Sequence, residues 1–359
     1  MAELPPAQRV ASVDLGAIAA NLRTVRSGLK PTTHCIAVVK ANGYGHGATT
    51  VARAALEAGA WGLAVSTLPE AVELRGLAPP ERLLALGGLT PDDAPAAASV
   101  GCSVACHSWE LANALEQAVP TGSRLSVQLK VDTGMSRLGC SLAEAPQLAR
   151  RIAGSDRLAL GGVYTHFAAS DSDAAFTREQ YSRFVSVLEQ LRVEPGLRHA
   201  ANSCAALRHP ELQLDAVRIG IALYGCEWPS LRPALTFQAR VTQVSEIPAG
   251  STVGYDRTWR AERSSRVAVI AAGYADGVMR ARSGRGDVVI RGQRRPVIGR
   301  ISMDQMTADV TGDDEVRAGD WATLIGDGIS AEEVAGHAGT NSYEVLTSIG
   351  RRVIRRYQE

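Results

Sequence analysis

Short apolar runs that alternate with amphipathic stretches fill roughly the first two thirds of this 359-residue chain, and that alternation narrows its fold more than any other feature. The runs cover residues 35–40, 61–65, 82–86, 103–107, 125–131, 160–166, 197–202 and 217–221. Between most of them lie stretches with apolar residues at helical spacing, such as 107–118, 142–152 and 174–191. Near-continuous apolar strands are those buried on both faces, and strand–helix units join by right-handed crossovers into parallel sheets. About eight such units over this length predict a closed (β/α)8 barrel. An open doubly wound sheet is the alternative, but no Gly-x-Gly-x-x-Gly follows the first strand.

After about residue 231 the texture changes. Short strand-like runs at 239–247, 267–272, 288–291, 295–298, 308–310 and 321–325 are punctuated by Gly, Pro and Asp, and Gly292-Gln293 suggests a hairpin turn. Only 331–338 and 343–349 read as helical there. The fold class is therefore α/β plus β: a barrel over 14–232 and a mostly β domain over 233–359, with the N-terminal segment 1–13, strand-like from Arg9 to Val13, packed on the latter. Asp14 is placed to cap the first helix.

The net charge is +1 with both signs interspersed, which argues against nucleic acid or an anionic membrane surface as partner. No run is long and apolar enough to span a bilayer, and residues 1–11 lack the apolar centre of a secretory signal. The cysteines at 35, 102, 106, 140, 204 and 226 form no Cys-x-x-Cys pair. They read as buried reduced thiols of a cytoplasmic protein, and no Cys/His cluster offers a metal site.

Parallel barrels collect their reactive side chains at the carboxyl ends of the strands. Lys40 ends the first run, beside the glycine-rich Asn42-Gly43-Tyr44-Gly45-His46-Gly47. Apolar walls favour a neutral amine, and a neutral amine attacks carbonyls; a surface lysine capping a strand is the plain alternative. Lys130, Asp132 and Arg137 follow the fifth run, His166 ends the sixth, Asn202 and Ser203 end the seventh, and Arg218, Gly220 and Tyr224 lie at the eighth. Tyr44 and Ser203 offer hydroxyls to a phosphate and Gly220-Ile221 backbone N–H groups, unless they serve ordinary loop packing. Strand alternation puts Gln128, Lys130 and Asp132 on one face. If that face points inward, desolvation and Arg137 both drive Lys130 towards the neutral amine, which takes up CO2; pairing with Asp132 is the simpler reading of the residues alone. In the second domain Tyr274 sits between glycines in Gly273-Tyr274-Ala275-Asp276-Gly277, where a phenol among cations can act as a general base.

The string Val39-Lys40-Ala41-Asn42-Gly43-Tyr44-Gly45-His46-Gly47 resembles the cofactor-lysine segment of the alanine racemases, and the similarity runs from about Val13 to the C-terminus. Leu129-Lys130-Val131-Asp132-Thr133-Gly134-Met135-Ser136-Arg137-Leu138-Gly139 is similar to their segment with an often carbamylated lysine. Gly273–Gly277 resembles their second catalytic segment, Val253-Gly254-Tyr255-Asp256 their entrance loop, and Gly299-Arg300-Ile301-Ser302-Met303-Asp304 a stretch that binds the substrate carboxylate. The resemblance implies an alanine racemase that uses pyridoxal 5′-phosphate (PLP), held by Lys40 as a Schiff base. Lys40 and Tyr274 would be the two bases, with Lys40 serving the D and Tyr274 the L enantiomer. Tyr44, Ser203, Gly220 and Ile221 would hold the phosphate, and Arg218, the ring nitrogen. His166, Asn202 and Tyr224 complete the cofactor site. Arg137 and the Met303 backbone would hold the substrate carboxylate, and Lys130 would carry a carbamate. A homodimer with Tyr274 donated across the interface, and supply of D-alanine for peptidoglycan, are further implications. The chain departs from the family at Arg351, where relatives carry a phosphate-binding tyrosine, and at Ile354, so that contact is left out of the site. Serine or broad specificity is the nearest rival. A decarboxylase of the same barrel type lacks support, because the chain has no triple-glycine phosphate loop and its second domain no Cys-Glu pair of that kind. A non-catalytic PLP carrier would resemble the barrel alone.

Overall fold

A computed structural model describes residues 7–359. The chain forms two compact units: one made of Ile18–Gly43 and Ala48–Leu223, the other of the N-terminal residues to Ala17, Tyr44–Gly47 and Tyr224–Glu359. Strand β1 (Arg9–Asp14) belongs to the second unit.

The first unit is a closed parallel barrel. Its strands are β2 (His34–Val38), β3 (Gly62–Val65), β4 (Leu83–Ala85), β5 (Ser103–Cys106), β6 (Leu125–Lys130), β7 (Leu158–Tyr164), β8 (Leu197–His199) and β9 (Ala216–Ile219). They pair in chain order, and β9 closes on β2 with His34 opposite Ala216. All eight expected runs overlap these strands, and the alternation of strand and helix reads correctly as a barrel. Its inside is divided. On one side Ile36, Ala64, Leu84 and Ala216 form an apolar cluster. On the other, Ser103, Ser126, Gln128 and His199 are joined by hydrogen bonds. The polar face of β6 therefore points inward, and Lys130 is 6% exposed. Helices such as Ala48–Glu57, Trp109–Ala118, Ala145–Ala153 and Ala174–Gln190 bury one face each against this barrel, as their apolar spacing requires.

The second unit is antiparallel apart from one pairing. It holds β10 (Leu235–Ile247), the short hairpin β11 (Thr252–Val253) and β12 (Trp259–Arg260), β13 (Ser265–Ile270), β14 (Asp287–Ile290), β15 (Gln293–Ile298), β16 (Met306–Asp309), β17 (Trp321–Ile325) and β18 (Ile354–Gln358). The sheet order is β13-β16-β15-β14-β17-β10-β1-β18, and β10 also pairs with β13. That extra pairing links six strands into a ring, with β1 and the parallel β18 extending it from β10. Strand β10 serves both neighbours because its register shifts between Val241 and Gln243, where a bulge bends it. Asp14 accepts the Ala17 N–H at 2.7 Å, as expected of a cap. The β14–β15 turn is Arg291-Gly292, one residue earlier than the sequence suggests, with φ of 51° and 77°. Two positive φ values match the twist of a two-residue hairpin. Strand β18 and the β11–β12 hairpin carry no sequence signal; β18 is Ile-Arg-Arg-Tyr-Gln, polar and mostly exposed.

Candidate active site

The sequence puts Lys40 at a strand end. In the structure β2 stops at Val38, Val39 makes a last ladder bond to Ala64, and Lys40 opens a left-handed turn. Ala41, Asn42, Gly43 and Tyr44 have φ of 52°, 55°, 61° and 50°. A left-handed conformation costs about 1–2 kcal/mol at each non-glycine residue, so this turn persists only because its neighbours hold it. The Gly43 N–H donates to Val39 O at 2.8 Å, the Ala48 N–H to Asn42 Oδ1 at 3.1 Å, and the Ala41 N–H to Glu70 Oε1 at 2.7 Å. Lys40 is thereby held at the start of this turn, just past the end of β2. Desolvation, then the charge of Arg137, lowers its pKa; Arg218 adds to the fall and Glu70 opposes it. All these effects but the last favour the free amine.

Lys130, at the end of β6, has its pKa lowered to about 8, by burial first and then by Arg218 and Arg137. Asp132 is occupied elsewhere: its Oδ1 accepts the N–H groups of Gly134, Met135 and Ser136 and so shapes the loop that carries exposed Arg137. Among the described residues no carboxylate lies within ion-pair distance of Lys130.

Arg218 is 5% exposed, and among the described residues it has no ion pair with a carboxylate. It donates to His199 Nδ1 at 2.8 Å, to His166 Nδ1 at 3.0 Å, and to the carbonyls of Thr165 and Ala200. Burial lowers its pKa to about 10, which leaves it a cation at neutral pH. Burial and the Arg218 charge push both histidines well below their ordinary range, so both are neutral. Ser203 Oγ accepts the N–H groups of Gly220 at 2.9 Å and Ala222 at 3.4 Å, bringing hydroxyl and backbone donors together beside buried Ile221. Asn202 Oδ1 caps the helix Ser203–Arg208 through the Ala205 N–H and also accepts from Ser170, so its visible work is structural.

In the other unit Tyr44 stacks on Tyr224 with centroids 4.7 Å apart, and Tyr343 lies 6.0 Å from Tyr44. A cavity of about 400 Å3 there is lined by Tyr255, Tyr274, Arg280, Arg300, Met303 and Asp304, among others. Tyr274 and Met303 come together because two turns lock: the Tyr274 N–H donates to Ser302 O and the Ala275 N–H to Met303 O, both at 3.0 Å. Buried Asp276 accepts the Gly273 N–H and pairs with Arg9 and Arg352. Tyr255, read from the sequence only as part of an entrance loop, lines the same cavity and is 70% exposed, against 45% for Tyr274. Its turn is strained, with φ of 74° at Gly254, 58° at Asp256 and 48° at Arg257, and Arg300 pairs with Asp256. The signal in the sequence was Gly254-Tyr255-Asp256, a glycine and an acid around an aromatic ring. Arg351 is exposed.

A parallel barrel with a lysine on a strained rim turn, and an antiparallel β unit that presents tyrosines in a polar cavity, mark a two-domain protein of the barrel-plus-β class. Family models for the alanine racemase N-terminal and C-terminal domains match residues 13–227 and 234–357. An alanine racemase of Symbiobacterium thermophilum is 43% identical over 97% of this chain and 96% of its own. Among solved structures, alanine racemase from Streptomyces lavendulae superposes with a TM-score of 0.91 at 37% identity, covering 99% of this chain and 98% of that one. Alanine racemase from Bartonella henselae, solved with covalently bound pyridoxal phosphate, gives 0.89 at 33% identity, covering 98% and 100%. The chain belongs to the alanine racemase family.

Proposed function

We propose that the chain interconverts L- and D-alanine, with PLP attached at Lys40 and two bases on opposite faces of the α-carbon. The observation that carries this reading is the Lys40 amine, set on a strained turn among cations that favour its neutral form. The residues present fit the cofactor. Arg218 is a buried cation, Lys130 and Arg137 add charge, and Glu70 and Asp132 spend oxygens on backbone N–H groups, so the barrel mouth calls for an anion. Tyr44, Ser203 and the backbone at Gly220 and Ile221 would take the phosphate. Arg218, backed by His166, would face the ring nitrogen, with Asn202 and Tyr224 around them. As a permanent donor Arg218 would leave that nitrogen unprotonated. When bound, pyridoxal phosphate acidifies the α-proton of an amino acid joined to it.

Lys40 takes or returns the α-proton on one face, and a phenol serves the other; each positioned base contributes roughly 10²–10⁴-fold. The sequence favours Tyr274. Tyr274 is also the one whose turn is locked to that of Met303, and Tyr255, which lines the same cavity, is the second candidate. Arg137 and the Met303 backbone would hold the carboxylate. Lys130, as a free amine, would take up CO2, release a proton and become a carbamate that pairs with Arg137. Because the lysine and the phenols belong to different units, we propose an active homodimer in which one copy's phenol serves the other copy's lysine. Supply of D-alanine for peptidoglycan, in the cytoplasm, is the role that follows.

Borohydride reduction of the holoenzyme followed by peptide mass analysis tests the attachment: the pyridoxyl group should sit on Lys40, and any other site overturns the reading. Proton exchange in D2O tests the bases. Tyr274→Phe should wash out the α-proton of D-alanine without inverting it, while Tyr255→Phe still inverts. The opposite pattern moves the role to Tyr255, and inversion that survives in the double variant sinks the two-base scheme.

A further inference from the structure

We infer that Gln128 is a positioning residue: through His199 it fixes the hydrogen-bond direction that holds the Arg218 guanidinium in the barrel mouth. The direction is forced from the top of the chain. A guanidinium only donates, so His199 Nδ1, 2.8 Å from Arg218 Nη1, carries no proton. The one ring proton of a neutral His199 is then on Nε2, 3.1 Å from Gln128 Oε1. The Gln128 amide cannot be reversed, because its NH2 would then meet another donor. Its Nε2 donates instead to Ser103 Oγ at 2.9 Å, and the Ser103 and Ser126 hydroxyls, 2.8 Å apart, end the chain.

The chain is sealed from His199 to Ser103, and only Ser126 at its end is partly exposed. His199 and Ser103 are 0% exposed and Gln128 1%. A buried polar chain strengthens a unique arrangement when every member is satisfied and is costly when one is not. The barrel makes room for it at a cost. Strand β7 carries Gly161 and Gly162 in its interior, where glycine weakens a strand. A Cβ on Gly162 would lie 2.1 Å from Gln128 Oε1, and one on Gly161 would lie 2.2 Å from Ser126 Oγ. The missing side chains let Gln128 cross over β7 to reach β8. Tyr164 then lies flat on the His199 ring, 5.0 Å between centroids at an interplanar angle of 3°, and closes the space beside it.

This deepens the proposed function, since it rests on Arg218 facing the cofactor ring. The test uses the holoenzyme with 15N-labelled histidine, in wild type, Gln128→Glu and Gln128→Met. Ring-nitrogen shifts should show His199 bare at Nδ1 and protonated at Nε2. The glutamate should draw a second proton onto the ring, ending acceptance from Arg218; the methionine fills the space but accepts nothing. In both variants kcat should fall, with KM little changed and the cofactor absorption band shifted, because the Arg218 guanidinium loses the acceptor that fixes its direction. A protonated Nδ1 in the wild type overturns the inference. So do variants with unaltered kcat and absorption. The nitrogen shifts do not depend on turnover: the expected His199 signature in a protein that fails to racemise alanine would indict the functional reading and leave the tautomer assignment standing.

Discussion

Glu70 accepts the Ala41 N–H at 2.7 Å, and this bond ties a helix start to the strained turn beside Lys40. The same carboxylate accepts the N–H groups of Ser66 and Thr67 through its other oxygen, completing a capping box with Thr67. One acid therefore stabilises a helix N-terminus and a left-handed turn together. Its charge also favours the ammonium form of Lys40. Glu70→Gln keeps one acceptor oxygen and removes the charge. Amine labelling of the apoprotein, followed against pH at Lys40, should then show a midpoint at lower pH than in the wild type. Stability should fall by about 1–2 kcal/mol through loss of a charge-assisted bond, read from the urea midpoint.

Arg218 bridges two imidazoles and two carbonyls with one planar fork. Arg218→Lys keeps the charge and loses the fork, and an ammonium cannot reach all four acceptors. The variant should be destabilised by about 2–3 kcal/mol, since buried acceptors are left unpaired. Its kcat should drop as well, because the planar donor that would face the proposed cofactor ring is gone. Parallel urea titration and steady-state kinetics would check both, and wild-type values in either would contradict the bridging role.

Lys130 gives a pH signature with a defined sign. Its pKa is about 8 when folded and 10.5 in the ordinary case, so between those values the unfolded chain binds more protons than the folded one. Stability must then rise with pH across that window, and the penalty of a buried ammonium is fully present below about pH 8. In CO2-free buffer the urea midpoint of the apoprotein should rise from pH 7 to pH 9.5. Lys130→Met should flatten that rise. Added bicarbonate should raise the wild-type midpoint at pH 7.5 and leave the variant unmoved, as a carbamate on this amine requires.

How much of this was legible follows from what each feature depends on. The barrel strands were visible because burial on both faces writes an unbroken apolar run, as in Cys35-Ile36-Ala37-Val38-Val39. Strand ends were less visible: nothing in Val38-Val39-Lys40 marks where the ladder stops, and His166 likewise lies two residues beyond Tyr164, the last residue of β7. The left-handed turn was hidden because Ala41 and Tyr44 are poor residues for it, and part of what holds it, the bond to Glu70, comes from a residue distant in sequence. Strand β18 was hidden because it is held by pairing with β1 rather than by its own apolar pattern. The meeting of Tyr255 with Tyr274 in one cavity depends on how β11–β12 folds back, which no local pattern encodes.

Gly273 offers the sharpest test of the cavity itself. It precedes Tyr274 in extended backbone, so no special φ requires a glycine there. The requirement is space: a Cβ would stand 2.3 Å from Ser302 O and 2.4 Å from Met303 O. Those two carbonyls accept the Tyr274 and Ala275 N–H groups, so the added methyl would push apart the bonds that bring Tyr274 and Met303 together. Gly292, at φ 77° with nothing within 4 Å of its would-be Cβ, is the matching control. Gly292→Ala should cost about 1–2 kcal/mol from backbone strain alone and leave KM for alanine unchanged. Gly273→Ala should cost more than this control and raise KM for alanine several-fold, because the turn that presents Met303 moves. Equal KM values in the two variants would mean that the Gly273 and Met303 turns do not form part of the substrate site.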